Sequence, residues 1–180
     1  MPTINVVIAD GDKTSRALSL NTLQPEKGIL IVGVARNGLE AILAAEGLKP
    51  HILLLNLNLF RGKRGNLLRA MRRKSPRTKM ILLTRRASQT LILEALCQGA
   101  LGYLKETAIN TFLPKAVRQV EAGEAWVPRK MVAKIVDRLA RLTALEEERA
   151  IYTNLTSNIE YLSSQNKSLN ELYPAGGIRF

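Results

Sequence analysis

His51-Ile52-Leu53-Leu54-Leu55-Asn56-Leu57-Asn58-Leu59-Phe60 is the stretch that decides the fold. Four consecutive apolar residues, Ile52 to Leu55, run into a polar one at Asn56. A short apolar run of this kind reads as a strand buried on both faces, which implies a parallel sheet covered by helices. In open sheets of that type the ligand site lies beyond the carboxyl ends of the strands. Asn56 stands at such an end, an amide where group-transfer chemistry asks for a carboxylate.

The flanking chain repeats the pattern. Upstream, Ile4 to Ala9 is a short apolar strand ending at Asp10-Gly11-Asp12. Thr14 to Leu23 has helical spacing, with Leu18, Leu20 and Leu23 as core positions. Ile29 to Ala35 is a second strand, and Asn37 caps a helix that runs to Gly47. Downstream, residues 65–74 form a basic helix with an apolar stripe of Leu67, Leu68 and Met71, ended by Pro76. Met80 to Leu83 is a fourth strand closed by Thr84. Ser88 to Gln98 is a helix stopped by Gly99. Leu101 to Leu104 is a fifth strand, and Asn110 to Glu121 a fifth helix. Strand and helix alternate five times, which predicts an α/β fold with a doubly wound parallel sheet.

Composition narrows the class. The chain has 180 residues, 46% of them apolar, and is therefore globular. No apolar run approaches the ~20 residues of a membrane span, and Met1 to Asn5 lacks the plan of a signal peptide. Cys97 is the single cysteine, so neither a disulfide framework nor zinc spacing exists, and a cytoplasmic location is expected. The net charge of +12 is concentrated between Arg61 and Arg86, a span with no acidic residue. A block so one-signed points either to an anionic partner, with Arg69, Arg72, Arg73 and Lys74 as contacts, or to a solvated helix face.

At this point the pattern resembles a response-regulator receiver domain over roughly residues 3–125, in the subfamily that usually carries a LuxR-type helix-turn-helix. The resemblance rests on Val7-Ile8-Ala9-Asp10, Ile52 to Asn58, Leu82-Leu83-Thr84, Gly99 to Leu104, and the exit Glu121 to Pro128. It implies a (βα)5 flavodoxin-like receiver. The family's chemistry uses two acids after the first strand to hold Mg²⁺ and an Asp after the third as phosphoacceptor. A Thr or Ser after the fourth and a Lys after the fifth complete the set. Here Asp10 and Thr84 match, with Tyr103 as the switch aromatic. The second acid falls on Gly11 and the phosphoacceptor on Asn56, which forms no aspartyl phosphate. Arg85 follows Thr84 where the family has a small residue. Lys105 comes two residues after Tyr103, not three, and a one-residue shift turns a strand side chain to the other face. The pocket of Asp10, Gly11, Asn56, Thr84 and Lys105 is thus expected to be inactive, with no catalytic residue, no metal and no cofactor. Asp12 reads as a helix cap or turn residue, against a replacement for the lost acid, and His51 as structural.

Beyond the receiver, Leu142-Thr143 and Ser157 to Glu160 faintly echo the LuxR-type module, but residues 143–180 leave no room for a recognition helix after them. Leu145, Glu148, Tyr152, Leu155, Ile159, Leu162, Asn166, Leu169 and Tyr173 instead follow heptad spacing, with Asn166 at a position where a buried Asn fixes register. The helix begins near Arg129 and stops at Pro174. It is either a coiled coil or an amphipathic helix packed on its own receiver. The expected organisation is a degenerate receiver (1–127), a helical linker and coiled-coil dimerisation helix (128–173), and a flexible tail (174–180). The expected function is non-enzymatic signalling or transcription regulation through protein contacts as a homodimer. The alternative is a DNA-binding regulator using the basic segment 61–86 or a shortened helix-turn-helix.

Overall fold

The structure, a computed structural model, describes residues 3–60, 64–86 and 88–172. It comprises β1 (Ile4–Ala9), α1 (Lys13–Leu23), β2 (Ile29–Ala35), α2 (Gly38–Leu48), β3 (Ile52–Asn56), α3 (Arg64–Lys74), β4 (Lys79–Thr84), α4 (Gln89–Cys97), β5 (Gly102–Lys105), α5 (Ile109–Glu121) and α6 (Arg129–Leu172). The five strands form one sheet in the order β2-β1-β3-β4-β5, and every pairing is parallel.

The unbroken apolar run of β3 follows from its place at the centre of the sheet. All five of its residues are buried. Leu53 and Leu55 join Val7, Leu82, Met71 and Ile92 on one face; Ile52 and Leu54 join Val6, Ile8, Leu83, Leu113 and Val117 on the other. Successive residues thus serve opposite cores, so neither parity can be polar. Each such side chain contributes about 1.5–3 kcal/mol on burial.

The helix ends obey local rules. Asp12 caps α1 by accepting the Ser15 N–H at 2.9 Å, and Asn37 caps α2 through Glu40 N–H at 2.9 Å. Gly99, at φ +102°, supplies the left-handed turn after α4. His51 is structural: its Nδ1 accepts the Asn5 N–H at 2.9 Å. One expectation changes. The buried stripe of α1 is Ser15, Ser19 and Leu23, whereas Leu18 and Leu20 are only partly buried. Small residues at i and i+4 let α1 lie close to its neighbours, and hydrophobicity alone picked the flanking leucines instead.

After α5 the chain returns to the sheet. Trp126 bridges Gly102 in parallel, its N–H donating to Leu101 O and its carbonyl accepting from Tyr103 N–H at 3.1 Å. A Cβ on Gly102 would lie 2.9 Å from the Trp126 Cβ, so this approach requires glycine. Met131 is buried in the same apolar cluster as Ile92 and Leu96. The first compact unit therefore runs through Ile135, past the expected edge at Val127. The second unit begins at Val136 and contains the rest of α6, which is one uninterrupted helix. The shortened helix-turn-helix is thus absent from Arg129–Leu172. Leu155, Ile159, Leu162, Asn166 and Leu169 lie on this helix, with side chains outside the described residues. Tyr173, Pro174 and the tail 174–180 lie outside them altogether.

Candidate functional site

The carboxyl ends of β1 and β3 bring together two side chains almost withdrawn from water, Asp10 and Asn56, each 1% exposed. Asp10 Oδ1 accepts the Asp12 N–H at 2.9 Å, and its Oδ2 accepts Asn56 Nδ2–H at 2.8 Å. Asn56 Oδ1 accepts the Asn58 N–H at 2.9 Å. The same Nδ2 donates a longer bond, 3.4 Å, to Glu106 Oε1. Glu106 Oε2 in turn accepts from Arg85 Nε at 2.8 Å. The result is a continuous chain, Asp10–Asn56–Glu106–Arg85, in which the amide stands between two carboxylates.

Glu106 was not anticipated from the sequence. Counting three residues past Tyr103, where the family resemblance places its lysine, lands on Glu106, and that count is the signal that finds it. A carboxylate in that place reverses the local sign. Its hydrogen bond and charge hold the Arg85 guanidinium more firmly protonated than usual. At the rim, the Ser15 N–H holds the Asp12 carboxyl below the usual carboxylate range.

The arrangement limits the chemistry. The Asn56 amide is a poor nucleophile, and both its donor and its acceptor are engaged. The residues do not suit a divalent cation either. Asp10 is the one carboxylate left of the resemblance's acidic set, and both its oxygens already accept hydrogen bonds. A hard cation favours several charged oxygens. Gly11 adds none, and a Cβ there would meet Arg36 O at 3.0 Å and Leu59 Cδ2 at 3.4 Å.

Lys105 departs from the expected pocket. On β5 it shares Tyr103's parity, and with Thr84 it lines a neighbouring cavity beside Arg85, Arg86, Ser88, Ile92 and Thr107. Lys105 also borders a cavity of about 480 Å³ lined by Tyr103, Gln119 and Trp126. Of the basic residues on α3, Arg69, Arg72, Arg73 and Lys74 are all exposed. Lys74 pairs with Glu46 at 2.7 Å, and no ion pair among the described residues involves the other three. The Arg72 side chain lies against Gly99.

The family model of the response regulator receiver domain matches residues 6–118. The chain belongs to this family. It is 27% identical over 175 residues to the transcriptional regulatory protein LnrK of Bacillus subtilis, covering 93% of this chain and 79% of LnrK. It is 29% identical over 135 residues to the oxygen regulatory protein NreC of Staphylococcus aureus, covering 74% of this chain and 62% of NreC, less than two thirds of that relative's length. The signal receiver domain of the response regulator NarL from Mycobacterium tuberculosis superposes with a TM-score of 0.64 at 23% identity, covering 69% of this chain and all of that one. That likeness shows the receiver fold. Among the described residues no helix is long and apolar enough to cross a membrane.

Proposed function

We propose that this response regulator is a pseudo-receiver that signals without phosphorylation of its third-strand residue, and acts in transcription regulation through protein contacts as a dimer. The observation that carries this reading is the saturated amide of Asn56, held by Asp10, Asn58 and Glu106. A phosphoryl dianion brought there meets two carboxylates and one arginine already paired with one of them. The names of LnrK and NreC support a regulatory role. Incubation of the chain with acetyl phosphate and Mg²⁺ is expected to add no phosphoryl mass in intact mass spectrometry. A phosphoryl group mapped to this pocket overturns the proposal.

Dimerisation through α6 rests on its heptad spacing and on Leu139, Leu142 and Leu145, which are exposed. Light scattering of the Leu155→Glu, Leu162→Glu double variant is expected to show a monomer, against a dimer for the parent chain; equal masses argue against the seam. A second reading, nucleic-acid binding through the basic segment, is favoured by the free positions of Arg69, Arg72 and Arg73 on α3. It predicts a log–log salt dependence of about −0.9 per phosphate contacted, flattened when these residues become Gln. No duplex binding at low salt removes it.

A further inference from the structure

We propose that the cavity between the end of β4, the first turn of α4 and the end of β5 binds a small organic phosphate without covalent attachment. Its volume is about 560 Å³, and Thr84, Arg85, Arg86, Ser88, Lys105 and Thr107 supply its polar lining, with Ile92 as the apolar contribution. Neither Asp10, Asn56 nor Glu106 is part of that lining; of the saturated chain it shares only Arg85.

Charge sets the ligand class. Arg85, Arg86 and Lys105 line the cavity, and no acidic residue does among the described residues. Glu106 neutralises Arg85 at 2.8 Å, while Arg86 and Lys105 enter no ion pair among the described residues. Two unpaired cations match a phosphate monoester, which carries about −1.5 to −2 near neutral pH. Phosphate oxygens also accept hydrogen bonds, and donors face them. Thr84 is only 4% exposed, and its hydroxyl makes no hydrogen bond among the described residues. That hydroxyl is therefore free to donate into the cavity that Thr84 lines. The Ser88 oxygen accepts from Leu91 N–H at 3.2 Å, which leaves its own proton to donate. Ile92 offers a contact for carbon, so a phosphate ester suits the cavity better than the bare ion.

The site arises from a shift of one residue. Lys105, two places after Tyr103, shares the face of Tyr103 and Thr84. Occupancy has a path to the rest of the molecule, because Ile92 belongs to the cluster that buries Met131 at the root of α6, and Gln89 of α4 accepts from Lys134 Nζ at 2.9 Å.

This inference goes beyond the proposed function and stands apart from it: covalent modification is read by intact mass, and reversible binding by calorimetry. Phenyl phosphate, inorganic phosphate, phenyl sulfate and phenol are titrated into the full chain at fixed ionic strength. The expected order of affinity is phenyl phosphate, then inorganic phosphate, then the monoanionic phenyl sulfate, with no binding of phenol. Arg86→Gln and Lys105→Gln are each expected to weaken phenyl phosphate about tenfold, as loss of a charge-assisted hydrogen bond does. Arg77→Gln, before the opposite end of β4, leaves affinity unchanged. In the unsubstituted chain, amide resonances of Thr84, Ser88 and Thr107 shift on addition of phenyl phosphate, which localises the site should a variant fail to fold. No heat and no shifts at millimolar phenyl phosphate overturn the proposal. So does binding indifferent to Arg86 and Lys105, or occupation of these residues by duplex DNA in place of the small phosphate.

Discussion

The pocket around Asn56 and the cavity around Thr84 are neighbours at the carboxyl end of the sheet, with Arg85 common to both, yet their polar groups are in opposite conditions. Around Asn56 every hydrogen-bonding atom of the amide has a partner, and the charges form an ordered series. Around Thr84 its hydroxyl and the two cations Arg86 and Lys105 line an open cavity. The difference traces to β5. Lys105, one residue early by the family resemblance, lies on the Thr84 side, and Glu106 lies beside Asn56. A short strand segment can therefore close one site and open another without altering the fold, because side-chain parity, not backbone position, decides which pocket receives a charge.

The sharpest way to break this contrast is Asn56→Asp. A third carboxylate beside Asp10 and Glu106 is expected to destabilise the fold by about 3 kcal/mol at neutral pH, measured by urea denaturation. The new carboxyl's folded pKa is raised above its unfolded value, so the penalty is present at neutral pH and shrinks as pH falls towards the ordinary carboxylate range. Unchanged stability at neutral pH shows that the pocket is not saturated. Adding Glu106→Lys to Asn56→Asp sharpens the same point: the cation sits where the family resemblance places it and recovers about 1–2 kcal/mol in a double-mutant cycle. Additive effects mean the two side chains do not interact.

The Thr84 side predicts smaller effects of the other sign. Thr84→Val removes a hydroxyl that has no partner, so stability is expected to hold or rise by up to about 1 kcal/mol; a clear loss reveals a hydrogen bond there. Arg86→Gln is expected to change stability by no more than about 0.5 kcal/mol, read as an unchanged urea midpoint, while weakening phosphate binding as above. At the rim, Asp12 contributes stability above the ordinary carboxylate range that is lost as pH falls through its lowered folded value. Asp12→Asn keeps the α1 cap and is expected to flatten the acid limb of a melting-temperature profile.

The sequence by itself determined the sheet, the alternation of strand and helix, the Asp12 and Asn37 caps, and an amide, Asn56, at the end of the third strand, where the family resemblance places a carboxylate. These are local properties: periods of two and 3.6 residues, and capping bonds spanning three, are written in contiguous stretches. The tertiary structure alone decided the rest. Asn56 meets Asp10 across 46 positions and Glu106 across 50, so the saturation of its amide has no local trace. The Ser15–Ser19 face of α1 depends on how closely the helix approaches the sheet. The close fit of Trp126 on Gly102 and the burial of Met131 carry the first unit past Val127, because a strand edge and an apolar cleft accept whatever segment the fold returns to them. Lys105's move into the cavity depended on both: the sequence gives the shift of one residue, and only the packed sheet shows what lies on the other side.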